Sequence, residues 1–333
     1  MVALSLLTTL PERLLNCRAT ELHAILGGPT LIHLKGKQAA PLFVSILLHG
    51  NETTGLPAVQ ALLKSKASLP RDLIIFVGNT AAAEKGARRL KNQPDYNRIW
   101  AGGELAEHRL AQQVLDYVAN TGPVAAVDIH NNTGRNPLYA CINHVDRRFV
   151  SLAQSFSNTI VFFSEPHQVL ANNMARYCPA VTLECGLAGE PSGIEQAIAT
   201  LEFGLYGDLD VATSELEDCS VFHTVARMRV PADSSIHFAD SPSSADFTLP
   251  MSLDNWNFTR LKPNTHFAYC NSEHATLSVS NDAGRDVTGE YFYRDGNRLF
   301  TRRPFIPSML TLDEKVIQQD CVGYIMEPYP LAG

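Results

Sequence analysis

Long apolar runs are missing from this 333-residue chain. No uninterrupted hydrophobic stretch approaches the ~18 residues of a membrane-spanning helix, so no membrane partner is expected. Runs of Lys and Arg are missing too. With 27 basic against 34 acidic residues the net charge is −7, and no basic face marks a nucleic-acid surface. Met1 to Leu10 lack the basic start and small-residue cleavage site of a signal peptide and read as mature chain. Cys17, Cys141, Cys178, Cys185, Cys219, Cys270 and Cys321 are odd in number and scattered, with no Cys-x-x-Cys pair. That pattern argues against a disulfide framework or a thiolate zinc site, and fits reduced thiols in a cytoplasmic protein, with Cys185 in a packing role. No internal repeat is visible.

What remains is an ordinary globular composition, 45% hydrophobic and 18% charged, in a chain long enough for two domains. Up to about residue 215, strands and helices alternate. Short apolar runs at 30–34, 42–48, 73–77, 124–130, 158–163 and 180–184 read as strands. Helices are expected over 11–24, 56–66, within 80–92, after Gly102-Gly103, and from Ser192, where Glu195 completes a capping box. Alternation of this kind implies an α/β fold, a mostly parallel sheet covered on both faces. From 216 to 333 the runs shorten, and Asp295-Gly296-Asn297 between two alternating segments signals a hairpin. This part is expected to be a smaller all-β domain.

The chemistry concentrates where predicted strands end. His49 and Glu52 lie between a buried strand and a helix opening near Pro57, where α/β sheets bind ligands. Alone, His-x-x-Glu is a weak signal, and a histidine at a strand end is more often simply a satisfied polar residue. It gains meaning from Asp128-x-His130 at the end of a second strand and Glu184 at the end of a third. Two histidines and a carboxylate are the ligand set of a catalytic zinc site with one position open for water, whose pKa falls to about 7. A further carboxylate can serve as general base, and arginines can stabilise an oxyanion or grip a substrate carboxylate.

Taken in order, His49-x-x-Glu52, Gly78-Asn79, Asp95-Tyr96-Asn97-Arg98, Asp128-x-His130 and Glu184 resemble the succinylglutamate desuccinylase/aspartoacylase family, within the zinc carboxypeptidase superfamily. The resemblance spans about residues 40–205. It implies the three-layer sheet of zinc carboxypeptidases and a C-terminal β domain that closes over the active site. By the same resemblance His49, Glu52 and His130 bind one Zn2+ per chain and Glu184 is the catalytic base and acid. Arg88, or Arg89 if the loop is shifted by one, polarises the scissile carbonyl. Asn97 and Arg98 hold the carboxylate of a small-molecule substrate, and Asp128 orients the zinc site.

Departures bear on the substrate. Leu170 and Met174 stand where aspartoacylases place a tyrosine and an arginine, although Arg176 is close. The region Pro304 to Leu310 lacks their catalytic-site tyrosine motif, and Lys91 to Pro94 lengthen the linker before Asp95. The expected activity is therefore hydrolysis of the amide of an N-acyl amino acid or a similar small carboxylate-bearing amide, with N-acetylaspartate and N-succinylglutamate disfavoured. A metallocarboxypeptidase of short peptides and a zinc-holding binding or regulatory protein without turnover are the alternatives. A structural zinc staple is weaker, since such sites use four protein ligands. The acyl group, the native metal and the oligomeric state stay open, a homo-oligomer included.

Overall fold

The computed structural model describes residues 3–66, 68–207, 209, 219–271 and 275–330. The chain divides into two units. One is built from Met1–Asn131 and Leu138–Ser220, the other from Asn132–Pro137 and Val221–Pro330. The expected boundary at 215/216 lies outside the described residues.

In the first unit the elements run β1 (Ser5–Leu7), α1 (Leu22–Leu26), β2 (Thr30–Leu34), β3 (Gln38–Ile46), α2 (Gly55–Ser65), β4 (Arg71–Val77) and α3 (Thr80–Glu84). After these come α4 (Ala106–Ala119), β5 (Ala125–His130), β6 (Tyr139–Ile142), α5 (Arg147–Gln154), β7 (Thr159–Phe162), α6 (Leu170–Met174), β8 (Ala180–Glu184) and α7 (Pro191–Tyr206). The strands lie in the order β1-β2-β4-β3-β5-β8-β6-β7. All neighbours are parallel except β2–β4 and β8–β6. Strand β3 sits between β4, its successor, and β5, which the chain reaches only later, so the strand order reverses at its end.

Register brings the functional ends level. Ile46 pairs with Val77 on one side and Ile129 on the other, and His130 pairs with Glu184. Near-unbroken burial of β3, β4 and β5 explains why they read as apolar runs: both faces are covered. On one face α2 and α7 pack so closely that a Cβ on Gly55 would meet the Ile46 side chain at 2.5 Å, and one on Gly204 the Leu42 side chain at 2.8 Å. On the other face the Trp100 ring meets Phe76 edge-on at 5.7 Å, and Tyr117 of α4 hydrogen-bonds His33 of β2 at 2.7 Å.

Two local expectations are corrected. Residues 11–24 form no single helix. Two short 3-10 turns, Glu12–Leu15 and Ala19–Glu21, precede α1, because Pro11 and the polar stretch after Leu15 offer no continuous apolar face. Helix α7 starts at Pro191 with Glu190 before it and no side-chain cap, so Ser192 lies inside the helix and makes no capping box. Proline at the first helical position sets the start instead. The strand β6, of four residues, and the helix α5, of eight, are too short to be read from the sequence.

The second unit holds two sheets. In one, β13 (Ser278–Asn281), β9 (Ser220–Arg229), β17 (Gly323–Pro328) and β16 (Ile306–Ser308) pair antiparallel in that order. The other has β10 (Ile236–Phe238), β11 (Phe247–Leu249), β12 (His266–Cys270), β15 (Arg298–Thr301) and β14 (Phe292–Asp295), antiparallel apart from β10–β11. Phe247, Phe267, Phe292, Phe305 and Ile325 lie in its core. The β14–β15 hairpin turns at Gly296 with φ 58°, as Asp-Gly predicts. The unit is not purely β, since short helices occupy Thr288–Tyr291 and Glu314–Gln319.

Candidate active site

Strand β3 ends in a tight exit. Leu47 takes the left-handed region at φ 58° although its side chain is fully buried, a strain of roughly 1–3 kcal/mol of the kind found at functional sites. The Leu47 carbonyl is held by the Asn79 N–H at 2.7 Å. Gly50 then passes so close to α3 that a Cβ would stand 2.2 Å from the Ala83 nitrogen, and its N–H binds the Arg88 carbonyl at 3.1 Å. This path delivers His49 and Glu52 to the sheet's carboxyl edge and ties their loop to the one carrying Arg88.

Glu52 is the centre of the cluster. Its Oε1 meets His49 Nδ1 at 2.8 Å and its Oε2 meets His130 Nδ1 at 2.7 Å. The Asn131 N–H also donates to Oε2 at 3.2 Å. All three side chains are buried, and their ligand atoms converge within 4.8 Å of one another, the only such metal-capable group among the described residues. Each imidazole has its second nitrogen held by a carboxylate: His49 Nε2 by Asp95 at 2.8 Å and His130 Nε2 by Asp128 at 2.8 Å. Ligand histidines are held this way, which fixes the ring and leaves the other nitrogen for the metal. The donor set therefore fits a divalent metal favouring nitrogen and oxygen, and the surplus of carboxylates around two imidazoles calls for a cation.

Electrostatics agree. Burial works against charge on Glu52, yet His49 and His130 hold its carboxyl well below the usual range. Burial and Arg88 oppose protonation of His49, but Glu52 and Asp95 outweigh them and raise its pKa. For His130, burial is likewise overcome by Asp128 and Glu52, and the pKa rises well above the usual value. Asp95 resists burial through His49 and Arg88 and is held low.

Glu184 behaves oppositely. It pairs in register with His130 on the adjacent strand but is not one of the three converging ligands. Burial pushes its carboxyl up to about 7; Glu52 adds to the rise, while His130, His49 and Arg88 oppose it. A carboxyl poised near neutrality can both take and return a proton.

Of the two candidate arginines, Arg88 reaches the cluster, its guanidinium bridging Glu52 Oε1 and Asp95 Oδ2 at 3.2 Å each. Arg89 turns to the Gln93 carbonyl of its own loop at 2.9 Å. Asn97 uses Oδ1 to accept the Leu170 N–H at 3.0 Å, leaving Nδ2 to donate elsewhere. Arg98 contacts the Asn97 carbonyl at 2.9 Å. Asn79 caps α3 by accepting the Ala82 N–H.

Sequence reasoning assigned no role to Asp95, which joins His49 to Arg88 and also accepts the Asn97 N–H at 2.7 Å. Its place beside Asn97-Arg98 was the only signal. Nothing in the spacing shows that a carboxylate 46 residues from His49 returns to it.

Comparison with known proteins agrees with this geometry. No curated protein matches the chain significantly by sequence. Its fold is similar to that of the succinylglutamate desuccinylase of Chromobacterium violaceum, at 18% identity over 89% of this chain and 87% of the other, with TM-score 0.57. A succinylglutamate desuccinylase/aspartoacylase of Rhodobacter sphaeroides is similar at 13% identity over 89% and 88%, TM-score 0.57. Murine aminoacylase 3 is similar at 13% over 88% and 96%, TM-score 0.50. Residues 41–203 match the family model of the succinylglutamate desuccinylase/aspartoacylase catalytic domain.

Proposed function

We propose that the protein is a zinc-dependent amidohydrolase that removes the acyl group from an N-acyl amino acid or a similar small amide bearing a carboxylate. The observation that carries this reading is the juxtaposition of two unlike carboxylates within a family catalytic domain. Glu52 is held ionised between two imidazoles, while Glu184, across the strand pair, is poised near neutrality.

His49, Glu52 and His130 would hold the zinc ion, which when bound supplies Lewis acidity and a water acidified to a pKa of about 7. Glu184 is placed to accept a proton from the attacking water and to return it to the departing amine nitrogen. Arg88, kept beside the cluster by Glu52 and Asp95, offers its guanidinium to the developing oxyanion. Asn97 Nδ2 and Arg98 hold the substrate carboxylate and so set the distance from carboxylate to scissile bond. Asp95 and Asp128 keep the two imidazoles in their ligating orientation.

The test is amine release from a panel of N-acyl amino acids by zinc-loaded protein, beside Glu184→Gln at equal zinc content. Turnover of one class, lowered by about 10²–10⁴ in the variant, is expected. Cleavage of short peptides alone would replace this reading with a carboxypeptidase. Silence on both, with zinc tightly bound, would leave a binding protein.

A further inference from the structure

Asn131 follows the ligand His130, and its carboxamide bonds to the backbones of two further loops. Oδ1 accepts the Thr54 N–H at 3.1 Å, two residues beyond Glu52. Nδ2 donates to the Gly186 carbonyl at 3.0 Å, two residues beyond Glu184, and to Thr54 Oγ1 at 2.9 Å. Thr54 is fully buried and Asn131 is 5% exposed, so water does not compete for these bonds.

The partners dictate the residue. An amide N–H can only donate and a carbonyl can only accept, so the position needs one acceptor and one donor on a single short side chain. Aspartate lacks the donor and leucine lacks both. Glutamine would push the amide past its partners by a methylene. This network also fixes the orientation of the amide group.

Gly186 is constrained from its other side as well. It takes φ 68°, and a Cβ there would lie 2.8 Å from Glu190 Oε2. The Cys185 N–H binds the His130 carbonyl at 3.0 Å, so the ladder between β5 and β8 continues one residue past Glu184. Beyond that point the Asn131 side chain takes over the connection. Its contact with Glu52 is of another kind: the backbone N–H supplies it, and any replacement but proline keeps it.

We propose that the Asn131 carboxamide is a positioning residue that fixes the loop of the base Glu184 against the loop of the ligand Glu52. This rests on the deacylase reading above. Because the backbone bond to Glu52 persists in an alanine or leucine variant, loss of the carboxamide disturbs the base while sparing the ligands.

The experiment compares zinc-loaded wild type with Asn131→Ala and with Asn131→Leu, which keeps the branching at Cγ. Both are measured for kcat and KM on the cleaved N-acyl amino acid, for zinc affinity by chelator competition, and for hydrogen exchange over residues 185–190. Expected are a kcat lower by roughly a hundredfold, as for a displacement of about 1 Å, with KM and zinc affinity within about threefold and faster exchange in that segment. A kcat within about threefold of wild type overturns the proposal. Zinc affinity falling in step with kcat also overturns it, since the residue would then only scaffold the ligands. If the wild type cleaves no member of the panel, the deacylase reading fails and exchange decides the coupling. Faster exchange at 185–190 in a variant that still binds zinc upholds it, and unchanged exchange refutes it.

Discussion

Asp128→Asn isolates what the carboxylate behind His130 contributes. Asp128 is 2% exposed, with Oδ2 at 2.8 Å from His130 Nε2 and Oδ1 buried without a hydrogen-bond partner among the described residues. Asparagine can still accept from the imidazole through its carbonyl oxygen. It does so without the negative charge that makes the ring a strong ligand, and its NH2 group enters a place where the native atom met no donor or acceptor. Loss of such a partner typically weakens metal binding by about 10–100-fold, equivalent to roughly 1.4–2.7 kcal/mol. The assay is zinc affinity by chelator competition, with thermal melts of the metal-free protein run alongside to separate ligand loosening from unfolding. Zinc affinity within about threefold of wild type in a folded variant would refute the argument that Asp128 tunes His130. Asp95→Asn makes an internal comparison. Its side chain is 20% exposed and also holds Arg88, so a smaller loss of zinc affinity and a larger loss of turnover are expected.

Other outcomes follow from the same geometry. Arg88→Ala removes a cation from Glu52 and Asp95; zinc affinity should hold or rise while kcat falls by about 10²–10³, and a fall in zinc affinity would contradict this. In metal-free protein the folded-state carboxyl of Glu184 sits above its unfolded value of 4.5, so the folded state binds the extra proton between about 4.5 and 7 and loses stability as pH rises through that window. Glu184→Gln should therefore gain relative stability of about 3 kcal/mol by pH 8, read by denaturant melts, and a pH-independent difference would oppose the assignment. Because His49 and His130 are raised, zinc must displace their protons; its affinity should drop as pH falls and calorimetry in buffers of different ionisation enthalpy should detect proton release. Gly50→Ala places a methyl against the Ala83 backbone and should destabilise the fold by about 3 kcal/mol, whereas a neutral effect would mean that the loop can shift.

No described helix is long and apolar enough to cross a membrane, and the cysteines are free thiols. The stretch Pro304 to Leu310 contributes β16 to the second unit.

The sequence by itself determined the strands that carry the site. β3, β4, β5 and β8 are largely buried on both faces and so appear as mostly apolar runs, each closed by a polar residue or by a glycine and asparagine. It also placed His49, Glu52, His130 and Glu184 at strand ends, because a costly polar group directly after an apolar run is a local signal. Short pieces such as β6, α5 and the broken 11–24 segment were not legible, since their form depends on neighbours that a window along the chain does not contain. Only the tertiary structure decided between Arg88 and Arg89, which are equivalent in sequence and differ only in where the loop turns them. It alone joined Asp95 to His49 and Asn131 to Thr54 and Gly186, because those bonds link residues 46 to 77 positions apart. Folding creates such contacts by bringing strand ends level at one sheet edge, and no local pattern encodes them.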